Sequence, residues 1–459
     1  MKLRILALAI AVASPGLVAA QTIDFQTSVE TTLSQNPQRD QSHAQIDQAQ
    51  AALSQAGLSR LPQFNLSFTA SNSNNPLNVF GMKLQQRDAA LSDFGFDQAT
   101  ANAFSTGDFA HQPSDLNKPG GYTDFNTRIE MLLPIWNGGK ISSAKNQAGA
   151  MLEAAQKGDI AVQQMLTYYV YEAYEGVHAA RAFIQVAEQA LKAADAYVKT
   201  TRNLVQQGVV LRSELLSAQA HQAEAELMLE QAKNHEQMAL DGLRSLMGME
   251  AYAPLDVAGR VNIDLPSESL DEMTQMALDT NPKLQAMRQQ VKASHAAVKG
   301  SRADLYPSFN LMARHDWNDN ELGFNASSYT VAAVASWKIT DFGVTGRAVD
   351  QANAAARGQE AQLRSEEQAV RLNLLKSWRQ YQNELKKVES NKAAVNYAAE
   401  AQSMIARRYE TGVSTMTEVL TSQAQLDKAR AELANAEYAK NIQKAQLRLA
   451  TGRMHLDQM

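Results

Sequence analysis

Two periodicities alternate along this chain. From Ile135 to Ala253 no proline occurs, and Ala, Gln, Glu and Leu dominate. Proline breaks helices and these residues favour them, so the stretch predicts very long helices. Val177, Ile184, Leu191, Val198 and Val205 recur every seven residues, with Ala180, Ala187 and Ala194 at a second seam position. A sustained heptad calls for a partner helix, and alanine lets that partner approach closely. Gly208, in Gln206-Gln207-Gly208-Val209-Val210, is the expected reversal. Leu216, Ala220, Ala223 and Leu227 are the apolar positions expected to face back from the returning helix. The pattern predicts helices over 140–206, 211–247, 345–411 and 414–451. The first of them would be roughly 100 Å long at about 1.5 Å per residue.

Elsewhere the period drops to two. Phe64, Leu66, Phe68 and Ala70 alternate with Gln63, Asn65, Ser67 and Thr69. Phe125, Ile129, Met131, Leu133 and Ile135 stand opposite Asn126, Arg128 and Glu130. Phe309, Leu311 and Ala313 mark a third run; Tyr329, Val331, Ala333, Ala335 and Trp337 mark a fourth. These predict strands over 61–71, 122–136, 306–317 and 328–340, each with one apolar and one polar face. Alternation alone also fits a half-buried soluble sheet. Strands of about ten residues match a tilted membrane span, and Tyr329 and Trp337 near the strand ends suit bilayer interfaces. Four strands cannot close a membrane barrel, which needs about eight, so several copies must share one; three chains would supply twelve strands.

The design occurs twice. Asn36-Pro37, Pro62 and Phe64-Asn65-Leu66 recur 245 residues later as Asn281-Pro282, Pro307 and Phe309-Asn310-Leu311. Gly208, Leu216-x-x-Gln219-Ala220 and Leu243-Arg244 recur 204 residues later as Gly412, Leu420-x-x-Gln423-Ala424 and Leu447-Arg448. The first copy therefore carries 41 extra residues between Leu66 and Gly208. They fall at 72–121, between its strands, where Asn, Ser, Asp and Gly abound beside Phe80, Phe94, Phe96 and Phe104. A surface loop with one helical turn around Lys83 to Leu91 is expected, its aromatics packing on neighbouring chains or the barrel mouth, with a folded-in plug as the alternative. Short helices are expected from Phe25 to Ser34, Asp40 to Ser59, Leu270 to Leu278 and Pro282 to Lys299. The organisation read from the chain is a leader over 1–20, repeats over 21–248 and 268–459, and a linker over 249–267.

Met1-Lys2-Leu3-Arg4, the apolar run Ile5 to Val12, and Val18-Ala19-Ala20 predict a secretory signal peptide cut after Ala20. Loss of Lys2 and Arg4 would leave 41 basic against 48 acidic residues, a net charge near −7 that argues against a nucleic-acid partner. There is no cysteine. Disulfides, thiolate metal sites and the lipidated cysteine of some exported bacterial proteins are thereby excluded. After the leader no apolar run is long enough for a transmembrane helix, so a crossing would have to be made by strands.

Candidate chemistry is sparse. The eight histidines are scattered, with no HExxH arrangement. Gly138-Gly139-Lys140 resembles the end of a phosphate loop, but Ile141 stands where Ser or Thr belongs. No acid/base dyad stands out among the carboxylates, and Met228, Met238 and Met247 are read as core packing. Neither cofactor nor metal is expected.

The leader, the duplicated helix–strand–strand–helix order, the strand ending Pro134-Ile135-Trp136-Asn137-Gly138-Gly139, and the turns around Gly208 and Gly412 together resemble the TolC family of outer-membrane channels over essentially the whole mature chain. The resemblance implies a mainly α protein with a small β part: a homotrimer whose long coiled-coil helices form an α-barrel across the periplasm, joined to a twelve-stranded transmembrane β-barrel. It implies an outer-membrane, Gram-negative location without a lipid anchor, and partnership with a periplasmic adaptor and an inner-membrane pump of RND or ABC type. By position, Gly208, Val209, Val210, Leu211, Arg212 and Ser213, with Gly412, Val413, Ser414, Thr415, Met416 and Thr417, match the turns that dock the adaptor. Tyr409 and Glu418 match the periplasmic gate. Ser414 stands where the family has an arginine, and Thr421 where it has a second acid.

The function so implied is passive export as the exit duct of a tripartite efflux pump or a type I secretion system. The alternative is a secreted coiled-coil scaffold without a pore; a periplasmic enzyme lacks its constellation. In a trimer, Glu418 would leave one acidic ring at the aperture. Glu418→Ala should therefore lower cation selectivity in planar bilayers, and an unchanged reversal potential would remove Glu418 from that role.

Overall fold

The computed structural model describes residues 21–265 and 269–456. The expected leader and Pro266, Ser267 and Glu268 of the linker's end lie outside the described residues. Element order is β1 (Gln21–Ile23), α1 (Phe25–Gln35), α2 (Pro37–Leu58), β2 (Gln63–Ser73), α3 (Pro76–Gln85), a 3-10 turn (Leu91–Phe94), α4 (Gln98–Ser105), α5 (Ser114–Asn117), β3 (Tyr122–Asn137), α6 (Lys140–Gln206) and α7 (Arg212–Leu246). Next in the chain are β4 (Leu255–Val257), α8 (Leu270–Thr280), α9 (Pro282–Ala303), β5 (Ser308–Asp319), β6 (Ala326–Ser336), α10 (Val344–Glu410) and α11 (Met416–Ala450). The chain forms two compact units: one from residues up to Gln48 with Glu153–Gln289 and Glu360–Met459, the other from Ala49–Leu152 and Gln290–Gln359.

The first unit is helical apart from one parallel ladder, Gln21–Ile23 on Leu255–Val257. That ladder was not foreseen in the linker. Arg181 of α6 fastens it, donating to Val257 O (3.1 Å), Glu236 (2.7 Å) and Asp256. Around it lies the largest apolar cluster, built from Phe25, Tyr171, Tyr174, Leu243, Met247 and Ile263 among others. A second cluster joins Met273, Leu284, Leu374 and Leu447.

The duplicated Asn-Pro motif acquires a physical reason here. Asn36 accepts from Gln38 N (2.9 Å) and donates to Leu246 O (3.0 Å). Asn281 accepts from Lys283 N (3.0 Å) and donates to Ala450 O (3.3 Å). Each asparagine thus starts one helix and satisfies a free carbonyl near the end of another. Each side-chain bond of this kind contributes about 1 kcal/mol.

One seam differs from expectation. Val177, Ala180, Ala187, Ala194 and Val198 of α6 are buried, but on α7 the buried heptad is Ala218, Ala225 and Ala232. Leu216 and Leu227 are 58% and 59% exposed, and Ala220 and Ala223 are not buried either. The helix carries two apolar stripes; the small one admits the close partner within the chain, and the large one is left facing outward. Met247 is core, whereas Met228 and Met238, expected inside, are exposed.

The second unit contains an antiparallel sheet in chain order, β2-β3-β5-β6. A register shift between Pro134 and Trp136 makes Ile135 a bulge. Proline donates no ladder bond, so the pairing slips there. Trp136, not Ile135, then pairs with Phe309, their rings 5.8 Å apart. Gly138, at φ +64°, carries the chain from β3 to α6; a Cβ there would lie 2.4 Å from Ala303 O, so the Gly-Gly pair answers to backbone geometry. The fourth strand ends at Ser336, short of Trp337, whose indole instead donates to Leu305 O (3.2 Å). The insertion is more helical than expected, with three helices and a 3-10 turn where one turn was foreseen. Asn75 and Asp97, polar residues that read as loop, are N-caps that accept from Leu77 N and Thr100 N.

His178 of α6 is half buried, its ring 5.3 Å from that of Tyr174. Loss of water, then the nearby Arg260 and Arg181, push its pKa down from 6.5 to about 4. The unfolded chain accepts the proton first. The stability this neutral imidazole confers is complete above the unfolded value and is lost as pH falls from about 6.5 to about 4. His178→Phe should therefore flatten the loss of melting temperature between pH 7 and pH 5 relative to the parent protein. Equal slopes would show that His178 does not titrate on unfolding.

Candidate functional site

The sheet sorts its side chains by face, and strand register fixes the sorting. Phe64 pairs with Met131, Leu66 with Ile129 and Ala70 with Phe125; Met131 pairs with Ala313, Leu133 with Leu311, and Ala313 with Val331. One face is therefore mainly apolar across all four strands, with Thr127, His315 and Ser327 as polar positions on it. Phe64 and Leu66 are 70% and 72% exposed on it, and Tyr329 80%. On the other face Ser67 pairs with Arg128, Thr69 with Asn126, Arg128 with Asp316, and Asp316 with Ser328. Its polar groups satisfy one another: Arg128 Nε donates to Asp316 (2.6 Å), Asn126 to Asp316 (3.3 Å), and Asn318 to Asp124 (3.0 Å). Such a sheet can divide an apolar medium from water.

Both outer strands, β2 and β6, have a single neighbour. Because the four strands alternate in direction, the two free edges run opposite ways. A copy of the sheet could continue the antiparallel ladder at either edge.

The two helix turns are built alike. Gly208 (φ +74°) donates to Val205 O and Val209 to Leu204 O; Gly412 (φ +78°) donates to Tyr409 O and Val413 to Arg408 O. This pair of bonds closes a helix on a left-handed residue, which glycine supplies without strain. A Cβ on Gly412 would stand 3.7 Å from Val209, so the turns are neighbours. Beneath them Tyr409, Met416, Val419, Val198 and Ala218 form the third apolar cluster.

Tyr409 is 2% exposed, and its hydroxyl lies 3.0 Å from Thr201 Oγ1 and donates to Glu214 (3.2 Å). Burial pushes this phenol above its ordinary pKa, so it stays a neutral donor. A second polar layer lies beside it: Gln402 donates to Tyr197 Oη, Tyr197 donates to Gln423 (2.8 Å), and Gln423 donates to Asp427 (2.9 Å). Burial raises the Asp427 pKa despite that bond. Together the layers join α6, α7, α10 and α11.

Of the four positions matched to a gate, only Tyr409 makes these cross-helix bonds. Glu418 is exposed, and its carboxylate accepts from Thr415 N (3.0 Å) in a capping box that opens α11. Thr421 is exposed and bonds back to Thr417 O (2.8 Å); Ser414 donates its amide to Arg408 O (3.3 Å). Thr201, Glu214, Tyr197 and Gln423 were not singled out in the sequence. Gln423 was visible as half of a repeated Gln-Ala pair, Thr201 falls seven residues after Ala194 on the alanine seam, and Glu214 recurs 204 residues later as Glu418; Tyr197 has no such counterpart. Among the described residues, no helix is long and apolar enough to cross a membrane, and no group of three His, Cys, Asp or Glu side chains could hold a metal ion.

Residues 29–249 and 273–453 match the family described as outer membrane efflux protein. The chain belongs to that family. It is accordingly an outer-membrane protein. It is 28% identical over 210 residues to outer membrane protein TolC of Vibrio cholerae, covering 44% of this chain and 47% of the relative. It is 29% identical over 200 residues to the cobalt-zinc-cadmium resistance protein CzcC of Cupriavidus metallidurans, covering 42% and 46%. The chain spans about half the length of these two relatives. Among solved structures it is similar to CusC, described in connection with transmembrane channel formation, with a TM-score of 0.77, 15% identity, and coverage of 93% of this chain and 91% of that one. At that identity the likeness is one of fold.

In this efflux-family chain Tyr409→Phe removes both hydroxyl contacts, each worth about 1 kcal/mol. Amide hydrogen exchange across residues 401–420 should quicken by roughly fivefold or more. Unchanged exchange would mean that Thr201 and Glu214 do not hold this turn.

Proposed function

We propose that this protein is a passive, non-enzymatic exit duct of the outer membrane. Three copies place their sheets edge to edge in a twelve-stranded barrel, apolar face to lipid and polar face to a wet lumen. The observation that carries this reading is the sorted sheet with two free, oppositely directed edges. In lipid an unpaired edge leaves backbone groups without partners, and closure with copies removes both edges. The outward leucines of α7 favour the same assembly, since a neighbouring copy would cover them.

In this reading the turns over Gly208–Ser213 and Gly412–Thr417 meet a periplasmic adaptor, and an inner-membrane pump of RND or ABC type supplies the energy. Tyr409 with Thr201 and Glu214 holds the closed arrangement, and opening shifts the helix pairs that these bonds tie together. Both efflux and type I secretion fit such a duct.

Mass and conductance of the detergent-extracted protein test the proposal. The expected result is a trimer that gives discrete current steps in planar bilayers. A single chain, soluble without detergent and passing no current, would favour the pore-free coiled-coil scaffold instead.

A further inference from the structure

The 41-residue insertion is a feature of the first repeat alone: β5 passes to β6 through the short stretch 320–325, whereas β2 passes to β3 through 74–121. By chain connection it lies at the end of the sheet away from the helix-bearing strand ends. It folds back rather than projecting freely. Helix α3 packs on β3. Just after it, Gln86 Nε2 donates to Thr123 O (2.9 Å) and to Asp124 Oδ1 (2.9 Å), and Tyr122 donates to Gln86 Oε1 (2.8 Å). Arg87 reaches further and donates to Ser327 O (2.6 Å) at the start of β6. Lys83 is bonded to Asp93 and stands 5.4 Å over the Tyr122 ring, while Phe80 meets Phe94 edge-on at 4.5 Å.

The side matters. Asp124 belongs to the polar face, in register with Ser71 and, through Asn126, with Asn318. Asp124 and Asn318 are buried, while the aromatic face stays open along β2. The insertion also presents Leu77, Phe96, Phe104 and Phe109 outward. Apolar groups at the mouth of a wet lumen need cover, and copies of the same segment converging on one axis would supply it.

We propose that, in the trimeric barrel of the preceding reading on which this inference rests, the three insertions are seated over the lumenal side of the outer mouth. There they set the size of solute that can pass between the exterior and the barrel. Gln86 and Arg87 are the tethers that hold each insertion inward.

The absence of cysteine makes a direct test available. Ser67→Cys, on the polar face inward of Asp124, is placed in the full chain in intact cells. It is then exposed from outside to a small charged methanethiosulfonate and, separately, to a polyethylene-glycol maleimide. The expected result is fast labelling by the small reagent and slow labelling by the polymer. Replacing residues 74–121 with a copy of 320–325 should speed polymer labelling by about tenfold or more, since mouth width governs what enters. Equal polymer rates with and without the insertion would overturn the proposal. If the shortened protein does not assemble, Gln86→Ala with Arg87→Ala in the full-length chain carries the same test: faster polymer labelling supports the tethers, and an unchanged rate overturns them. Failure of the duct reading itself has a different signature: the trimer mass is absent, and Ser67→Cys, exposed on a lone sheet, takes up the small reagent and the polymer alike.

Discussion

A strand in lipid must give every backbone amide and carbonyl a partner, and this chain cannot do so alone. Its four strands satisfy one another inside the sheet, but β2 and β6 each keep one edge unpaired. Water cannot satisfy those edges within a bilayer, where each unpaired group costs several kcal/mol. The alternating strand directions leave edges that can pair with each other across copies. In the proposed barrel, assembly would thus follow from the smallest complete piece of the fold.

The polar face answers the complementary requirement. Arg128, Asp316, Asn126, Asn318 and Asp124 form one connected set of side-chain bonds, so charge and amide groups are paired where the face is partly covered. The ladder makes this economical: residues that share a face also share a rung. A one-residue slip would exchange the faces, presenting arginine and aspartate where phenylalanine and leucine now stand. The bulge at Ile135 lies at the end of β3, beyond most of the rungs, and shifts only the pairing of Trp136 and Asn137.

In the helical unit the same sequence device serves two ends. Asparagine staples hold the short helices to the ends of α7 and α11, and glycine turns reverse the long ones. Between them the seam is made of alanine, which brings helices close and leaves little surface to lock them. The buried tyrosines therefore matter more than their number suggests. Tyr409 and Tyr197 each place a hydroxyl where two or more helices meet, and a hydrogen bond in a dry seam is directional in a way that alanine contact is not.

Periodicity and repetition determined the class of this protein before any coordinates. Heptads predicted long paired helices, alternation predicted two-faced strands, and two displacements exposed the duplication; each is a local property of backbone geometry written directly into residue spacing. Tertiary structure decided which of two helical stripes turns inward on α7, why Asn36 and Asn281 recur, where Pro134 forces a bulge, and which side of the sheet the insertion covers. It also decided the membership of the turn network. Thr201 continues the alanine seam and Glu214 recurs as Glu418, but their partnership with Tyr409 became visible only once α6, α7 and α10 were side by side, because periodicity marks a position and not the bond it makes.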